Sequence, residues 1–230
     1  KVLNLIEFSN ISKGKEEITT TLKNQDLKVA NAKAELIKVS QHFYSKGWMM
    51  GTSGNLSILI DEPTKNNQNF EFLITASGKD KGELTENDFL LVNETGKPAQ
   101  ETNQKPSAET LLHSAIYKHT DAKAIYHVHT TNTTLLSNYS IDGHGKPCPY
   151  ITFAGLEMLK GLGFKTHDVT VNIPIIDNSQ DMNYIASIAP NYISDDIPGL
   201  ILKGHGIYAW GETPEEAKRH VEIFEFLFEY

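Results

Sequence analysis

The chain of 230 residues carries 21 lysines and arginines against 29 aspartates and glutamates, a net charge of −8, with 39% hydrophobic and 22% charged residues. This is too apolar for a disordered chain, and without a basic run to track a phosphate backbone it argues against a nucleic-acid partner. No stretch approaches the roughly 20 apolar residues of a membrane-spanning helix, and the opening KVLNLIEFSNISKGK lacks the apolar core of a secretion signal. The single cysteine, Cys148, allows no internal disulfide and no cysteine-rich metal site. The expectation is a cytoplasmic protein, with any metal held by nitrogen and oxygen.

Residues 1–25 are polar and weakly periodic and are expected to form an arm or a short helix of low stability, set apart from a main domain over residues 26–230. From Asp26 the pattern changes. Val29, Ala32, Leu36, Val39 and Phe43 recur at helical spacing, and Gly47 stands where a left-handed C-cap would end the helix. The apolar segments Leu56–Ile60 and Phe72–Thr75, separated by an asparagine-rich turn, predict a hairpin, and FLLVN at 89–93 adds a strand. In PSAETLLHSAIYKH, Ser107 is read as a cap, with Leu111, Leu112, Ala115 and Ile116 on one helical side, leading into the strand AIYHVH.

After a loop containing DGHGKPCP come a short helical candidate, GLEMLKGLG, a strand, VTVNIPII, and a helix around residues 179–189. PGLILKGHGIYAWG reads as a hairpin bent at the glycines flanking His205. The last helix is announced by Thr213 as N-cap, Pro214 at the first helical position and Glu216 completing a capping box, with Ala217, Val221, Phe224 and Phe228 on one face. Helices between groups of hairpin strands favour an α/β sandwich with a largely antiparallel sheet.

Of nine histidines, His42, His113, His119 and His220 read as surface or core-edge residues of helices, and His144 and His167 as loop residues. His127 and His129 differ, because side chains two apart on a strand share a face and can reach one ion. The pair alone could equally be two polar residues on a solvent face. His205, freed from neighbouring side chains by Gly204 and Gly206, supplies a third imidazole, and three histidines with an open position are the donor set of a catalytic metal.

Taken together, GTSGNLS, LITASG, PSAETLLH, HVH and LKGHGIYAWGETPEEA resemble, in order and spacing, the class II aldolase and adducin-head family over roughly residues 30–230. GLEMLKG, IPIID and the last helix are most similar to the family's dehydratase branch. The resemblance implies a three-layer α/β/α fold around a central, mainly antiparallel sheet. It implies one zinc per subunit, held by His127, His129 and His205, and a homotetramer with active sites at subunit interfaces. Glu157 falls where the dehydratases carry their acid/base, and Glu109 where the aldolases carry a catalytic or metal-associated glutamate. Gly54, Asn55, Ser77, Gly78 and Ser107 match the aldolases' phosphate-binding positions, and Lys79 or Lys81 could add charge.

The activity so implied is dehydration of 5-methylthioribulose 1-phosphate in methionine salvage, with Phe153, Met158 and Tyr208 as candidates to grip the methylthio group. Aldol cleavage of a sugar phosphate and pentulose-phosphate epimerisation are the same-fold alternatives, and a non-catalytic interaction module is the other. On the residues alone, the serine- and glycine-rich segments are also ordinary turns, and Glu109 and Glu157 are also ordinary first-turn or solvent-facing residues.

Overall fold

In the computed structural model of the chain, eight strands among the described residues form one sheet in the order β3-β2-β1-β4-β8-β7-β6-β5. The structure describes residues 2–62, 69–142 and 144–230, with side chains described from residue 23 onward. The strands are β1 (Asn55–Asp61), β2 (Glu71–Thr75), β3 (Phe89–Asn93), β4 (Ala124–Val128), β5 (Tyr150–Ala154), β6 (Thr170–Ile176), β7 (Gly199–Leu202) and β8 (Gly206–Gly211). Every neighbouring pair is antiparallel except β6 with β7. The helices are α1 (Val2–Ser45), α2 (Thr110–His119), α3 (Thr131–Tyr139), α4 (Met182–Ile188) and α5 (Pro214–Glu229), with short 3-10 turns at Glu157–Leu162 and Ala189–Asn191.

Strand alternation divides the core in two. Leu56 and Ile58 of β1, Tyr126 and Val128 of β4 and Ile207 of β8 face a layer made by α1, α5 and the 3-10 turn at Glu157–Leu162. Phe72 and Ile74 of β2, Ile125 of β4 and Tyr208 of β8 face the layer made by α2 and α4. The last helix presents the expected Ala217, Val221, Phe224 and Phe228, all buried, and fully burying a side chain such as phenylalanine is worth roughly 1.5–3 kcal/mol. Thr213 caps it by accepting from the Glu216 N–H at 3.1 Å, while Glu216 reaches back to the Glu212 N–H at 3.0 Å.

Three details differ from the sequence reading. The first helix begins at Val2 rather than near Asp26; the side chains of the expected arm up to residue 22 lie outside the described residues. Ser107 is not the cap of α2: Glu109 holds the N-cap position, and the Ser107 hydroxyl donates to the Glu109 carboxylate at 3.2 Å. Neither α3 nor β5 was expected. TNTTLLSNY has little helix propensity, and α3 forms because the Thr130 side chain accepts from the Thr133 N–H at 3.1 Å and α5 packs against it. Among the described residues no helix is long and apolar enough to cross a membrane.

Candidate active site and metal centre

β4 and β8 pair with His127 opposite Tyr208 and Val128 opposite Ile207, which turns His127 to the side of the sheet that carries α2. His129 lies one residue beyond β4, its N–H donating to the Trp48 carbonyl at 2.9 Å. The next residue is fixed from across the core: the Thr130 hydroxyl donates to Glu225 Oε1 at 2.6 Å, and the Thr133 hydroxyl to the same oxygen at 3.0 Å. His205 sits in the tight turn between β7 and β8. A Cβ at Gly206 would stand 2.3 Å from the Val128 carbonyl oxygen and 2.9 Å from Cε1 of His127, so a glycine is required for the turn to close over the other two rings.

The three imidazoles converge. Nε2 of His129 lies 2.8 Å from Nε2 of His127 and 3.0 Å from Nε2 of His205. They are the one such potential metal-binding group among the described residues, with a ligand atom of each within 4.8 Å of the others. The Nδ1–H of His127 donates to the Ile207 carbonyl at 3.0 Å, which leaves Nε2 as a lone pair. Burial, helped by the adjacent imidazoles, pushes His127 well below the ordinary histidine range and His129 to about 4; burial also lowers His205, against the pull of Glu109. Neutral rings with lone pairs directed at one point repel one another unless a cation lies between them, so the residues present fit a divalent metal.

Glu109 stands beside this centre. Its Oε1 is 3.6 Å from Nε2 of His205, while Oε2 accepts from Nδ2 of Asn55 and from the Ser107 hydroxyl. Next to it three loops close a cavity of about 250 Å³ whose lining includes Gly54, Ser77, Gly78, Lys81, Ser107 and His129. The Ser77 N–H donates to the Lys105 carbonyl at 2.9 Å, and Lys81 Nζ donates to the carbonyls of Thr52 and Lys79, both at 2.9 Å. Burial lowers Lys81 to about 8, opposed by Glu109 and Asp80. A second, open cleft of about 580 Å³ adjoins the centre through His129 and His205.

The structure thus brings together the three histidines, Glu109, Gly54, Ser77, Gly78 and Ser107. Asn55 is 2% exposed and does not line the cavity; its side chain is engaged by Glu109 and by His113. Lys79 points elsewhere, pairing with Asp88 at 2.8 Å. Glu157 is not at the centre of its own chain: it lines neither cavity, belongs to the opposite layer, and is held by Lys160 at 2.8 Å and His167 at 3.4 Å, its pKa lowered chiefly by Lys160. Tyr208 is fully buried beneath His127 and lines neither cavity; Phe153 and Met158 pack against the α1/α5 core.

Two residues that the sequence reading passed over are Ser57 and His113. His113 is wholly buried, with Ser57 on one ring nitrogen and Asn55 on the other. The available signal was Asn55 and Ser57, polar at alternate positions of a strand otherwise apolar as far as Ile60, facing a helix with Glu109, His113 and Tyr117 four residues apart.

The sequence profile of the class II aldolase and adducin N-terminal domain matches residues 34–230. Methylthioribulose-1-phosphate dehydratase of Persephonella marina is 45% identical over 189 residues, 81% of this chain and 82% of that protein. The enzymes of the same name from Geobacillus kaustophilus and Bacillus subtilis are 45% and 43% identical over 198 residues, 85% of this chain and 89% and 90% of theirs. Among solved structures, the L-fuculose-1-phosphate aldolase of Thermus thermophilus superposes with a TM-score of 0.60 at 26% identity, covering 87% of this chain and 91% of that one. A sugar-phosphate aldolase of Thermotoga maritima superposes with a TM-score of 0.62 at 21% identity, covering 87% and 93%.

Proposed function

We propose that this chain, which belongs to the class II aldolase and adducin N-terminal domain family, is a methylthioribulose-1-phosphate dehydratase that converts 5-methylthioribulose 1-phosphate to 2,3-diketo-5-methylthiopentyl 1-phosphate and water. The observation that carries this reading is identity of 41–45% to curated dehydratases over four fifths or more of the chain, falling on a site with a complete histidine triad. The step places the enzyme in methionine salvage.

His127, His129 and His205 would hold zinc, the metal that an all-imidazole set with an open position suits. Zinc held there would supply Lewis acidity to the substrate's oxygens, which would make the hydrogen on C3 easier to remove. The cavity of Gly54, Ser77, Gly78 and Ser107 would take the phosphate on small hydroxyls and N–H groups, with Lys81 adding charge and Asn55 holding Glu109 at its edge. Glu109 would assist proton transfer next to the centre. Glu157 would protonate the departing C4 hydroxyl. Because Glu157 lies outside the centre of its own chain, it would act on that of a neighbouring copy, within a homotetramer.

The retained Glu109 carboxylate favours a second reading, aldol cleavage of a sugar phosphate. The deciding experiment is turnover of methylthioribulose 1-phosphate by zinc-loaded and chelator-stripped protein, beside fuculose 1-phosphate and ribulose 5-phosphate. Formation of the diketone that is lost on stripping and regained with zinc supports dehydration; cleavage of fuculose 1-phosphate without diketone formation overturns it.

A further inference from the structure

Behind Glu109 runs a buried chain of hydrogen bonds, of which the proposed reaction uses only the last, from Asn55. It passes from Tyr117 to Ser57 at 2.8 Å, from Ser57 to His113 Nδ1 at 2.7 Å, from His113 Nε2 to Asn55 Oδ1, and from Asn55 Nδ2 to Glu109 Oε2. Asn55, Ser57, His113 and Tyr117 are all at most 4% exposed.

Chemistry fixes where every hydrogen lies. A carboxylate only accepts, so Asn55 turns its NH₂ to Glu109 and its carbonyl oxygen to His113. That oxygen only accepts, so His113 carries its proton on Nε2 and leaves Nδ1 as a lone pair. Nδ1 then receives the Ser57 hydroxyl, whose oxygen receives the Tyr117 hydroxyl. All four donors point one way, toward Glu109, and such aligned dipoles reinforce one another away from water. Burial agrees with a neutral ring, since it lowers His113 to about 3.

We infer that His113 is a positioning residue: through Asn55 it locks the Glu109 carboxylate in one orientation, with Oε2 tied back and Oε1 presented to the centre. The chain is a clamp and not a proton wire, because an asparagine amide does not readily give up and regain a proton. The inference rests on the proposed role of Glu109 only in its kinetic part.

Two measurements test it. In metal-free, unsubstituted protein, ¹⁵N-resolved NMR should show the His113 ring protonated at Nε2 and bare at Nδ1; the opposite tautomer overturns the clamp whatever the enzyme's activity. In zinc-loaded protein, His113→Leu should lower kcat about 10- to 100-fold with little change in KM or zinc content, and His113→Gln, which keeps a donor toward Asn55, should restore part of it. In the Glu109→Gln background, His113→Leu should change kcat by no more than about threefold, since both substitutions remove the same arrangement. Full additivity, or a His113→Leu enzyme as fast as the parent, overturns the proposal. Should the parent form no diketone, the functional reading fails, and the tautomer measurement still decides the clamp.

Discussion

The ring of Tyr208 lies flat on the imidazole of His127, with centroids 3.9 Å apart and planes 12° from parallel. The two residues face each other across β4 and β8, so the tyrosine backs the ring while the Ile207 carbonyl fixes its rotation. The Tyr208 hydroxyl is buried with no hydrogen-bond partner among the described residues, whereas its ring is stacked on the ligand. Tyr208→Phe should leave unfolding free energy and zinc affinity near those of the parent. Tyr208→Ala should cost about 3–5 kcal/mol in denaturant unfolding and weaken zinc in a competition titration. A phenylalanine variant with poor zinc affinity would show that the hydroxyl matters.

Gly206 is the narrowest point of the centre. An added methyl meets backbone, the Val128 carbonyl, and not the flexible end of a side chain, so relief requires the β7–β8 turn to move His205. Gly206→Ala should therefore lower bound zinc well below one per chain even where the protein stays folded, as read by metal analysis and circular dichroism. Retention of full zinc would mean that the turn gives way without disturbing His205.

Much of this site was legible in the sequence because it rests on local geometry. Strand alternation alone put His127 and His129 on one face, and the glycines around His205 marked a close approach. Ser57 and His113 were obscured for a physical reason: a polar residue on a helix reads as surface until the sheet that covers it is known. Helix α3 was obscured likewise, since its cap is fixed by Glu225, distant in sequence. β5 is an edge strand whose Ile151 and Phe153 are only half-buried, and its short alternation went unread between loops.

Burial of His113 has a consequence for acid stability. The unfolded ring binds its proton near 6.5, the folded ring only near 3, so the unfolded chain takes up the proton first as pH falls. The folded state is favoured fully above pH 6.5 and loses stability from there down toward 3. For this one group the loss by pH 5 is about 2 kcal/mol relative to pH 8. Denaturant unfolding of metal-free protein at both values should show a smaller loss in His113→Gln than in the parent; equal losses would show that His113 does not titrate differently on unfolding.

Lys81 couples the loops of the smaller cavity and carries a pKa lowered to about 8 by burial. It loses its charge as pH rises through that value, so attraction for a phosphorylated substrate should weaken there. KM should rise above about pH 8 in the parent. Lys81→Met should raise KM at neutral pH and flatten that dependence, with zinc content unchanged. A KM equal to that of the parent at pH 7 would place the phosphate elsewhere.

Glu157 poses the sharpest question, because the residue proposed to protonate the leaving hydroxyl is 70% exposed and anchored in the layer away from the triad. If it serves a neighbouring copy, two inactive variants should rescue each other. Glu157→Gln keeps the metal ligands and lacks the acid, whereas His129→Ala keeps the acid and lacks a ligand. Mixed one to one and reassembled at random, they would place an intact triad beside an intact Glu157 at about a quarter of the sites, since a head-to-tail interface joins unlike surfaces of two chains. Recovery of turnover toward a quarter of the parental value, absent from either variant alone, would establish the shared site. If the mixture stays inactive while gel filtration and mass spectrometry show mixed assemblies, Glu157 does not act across an interface. A Glu157→Gln enzyme with parental activity would remove it from the chemistry altogether, leaving Glu109 as the carboxylate beside the metal.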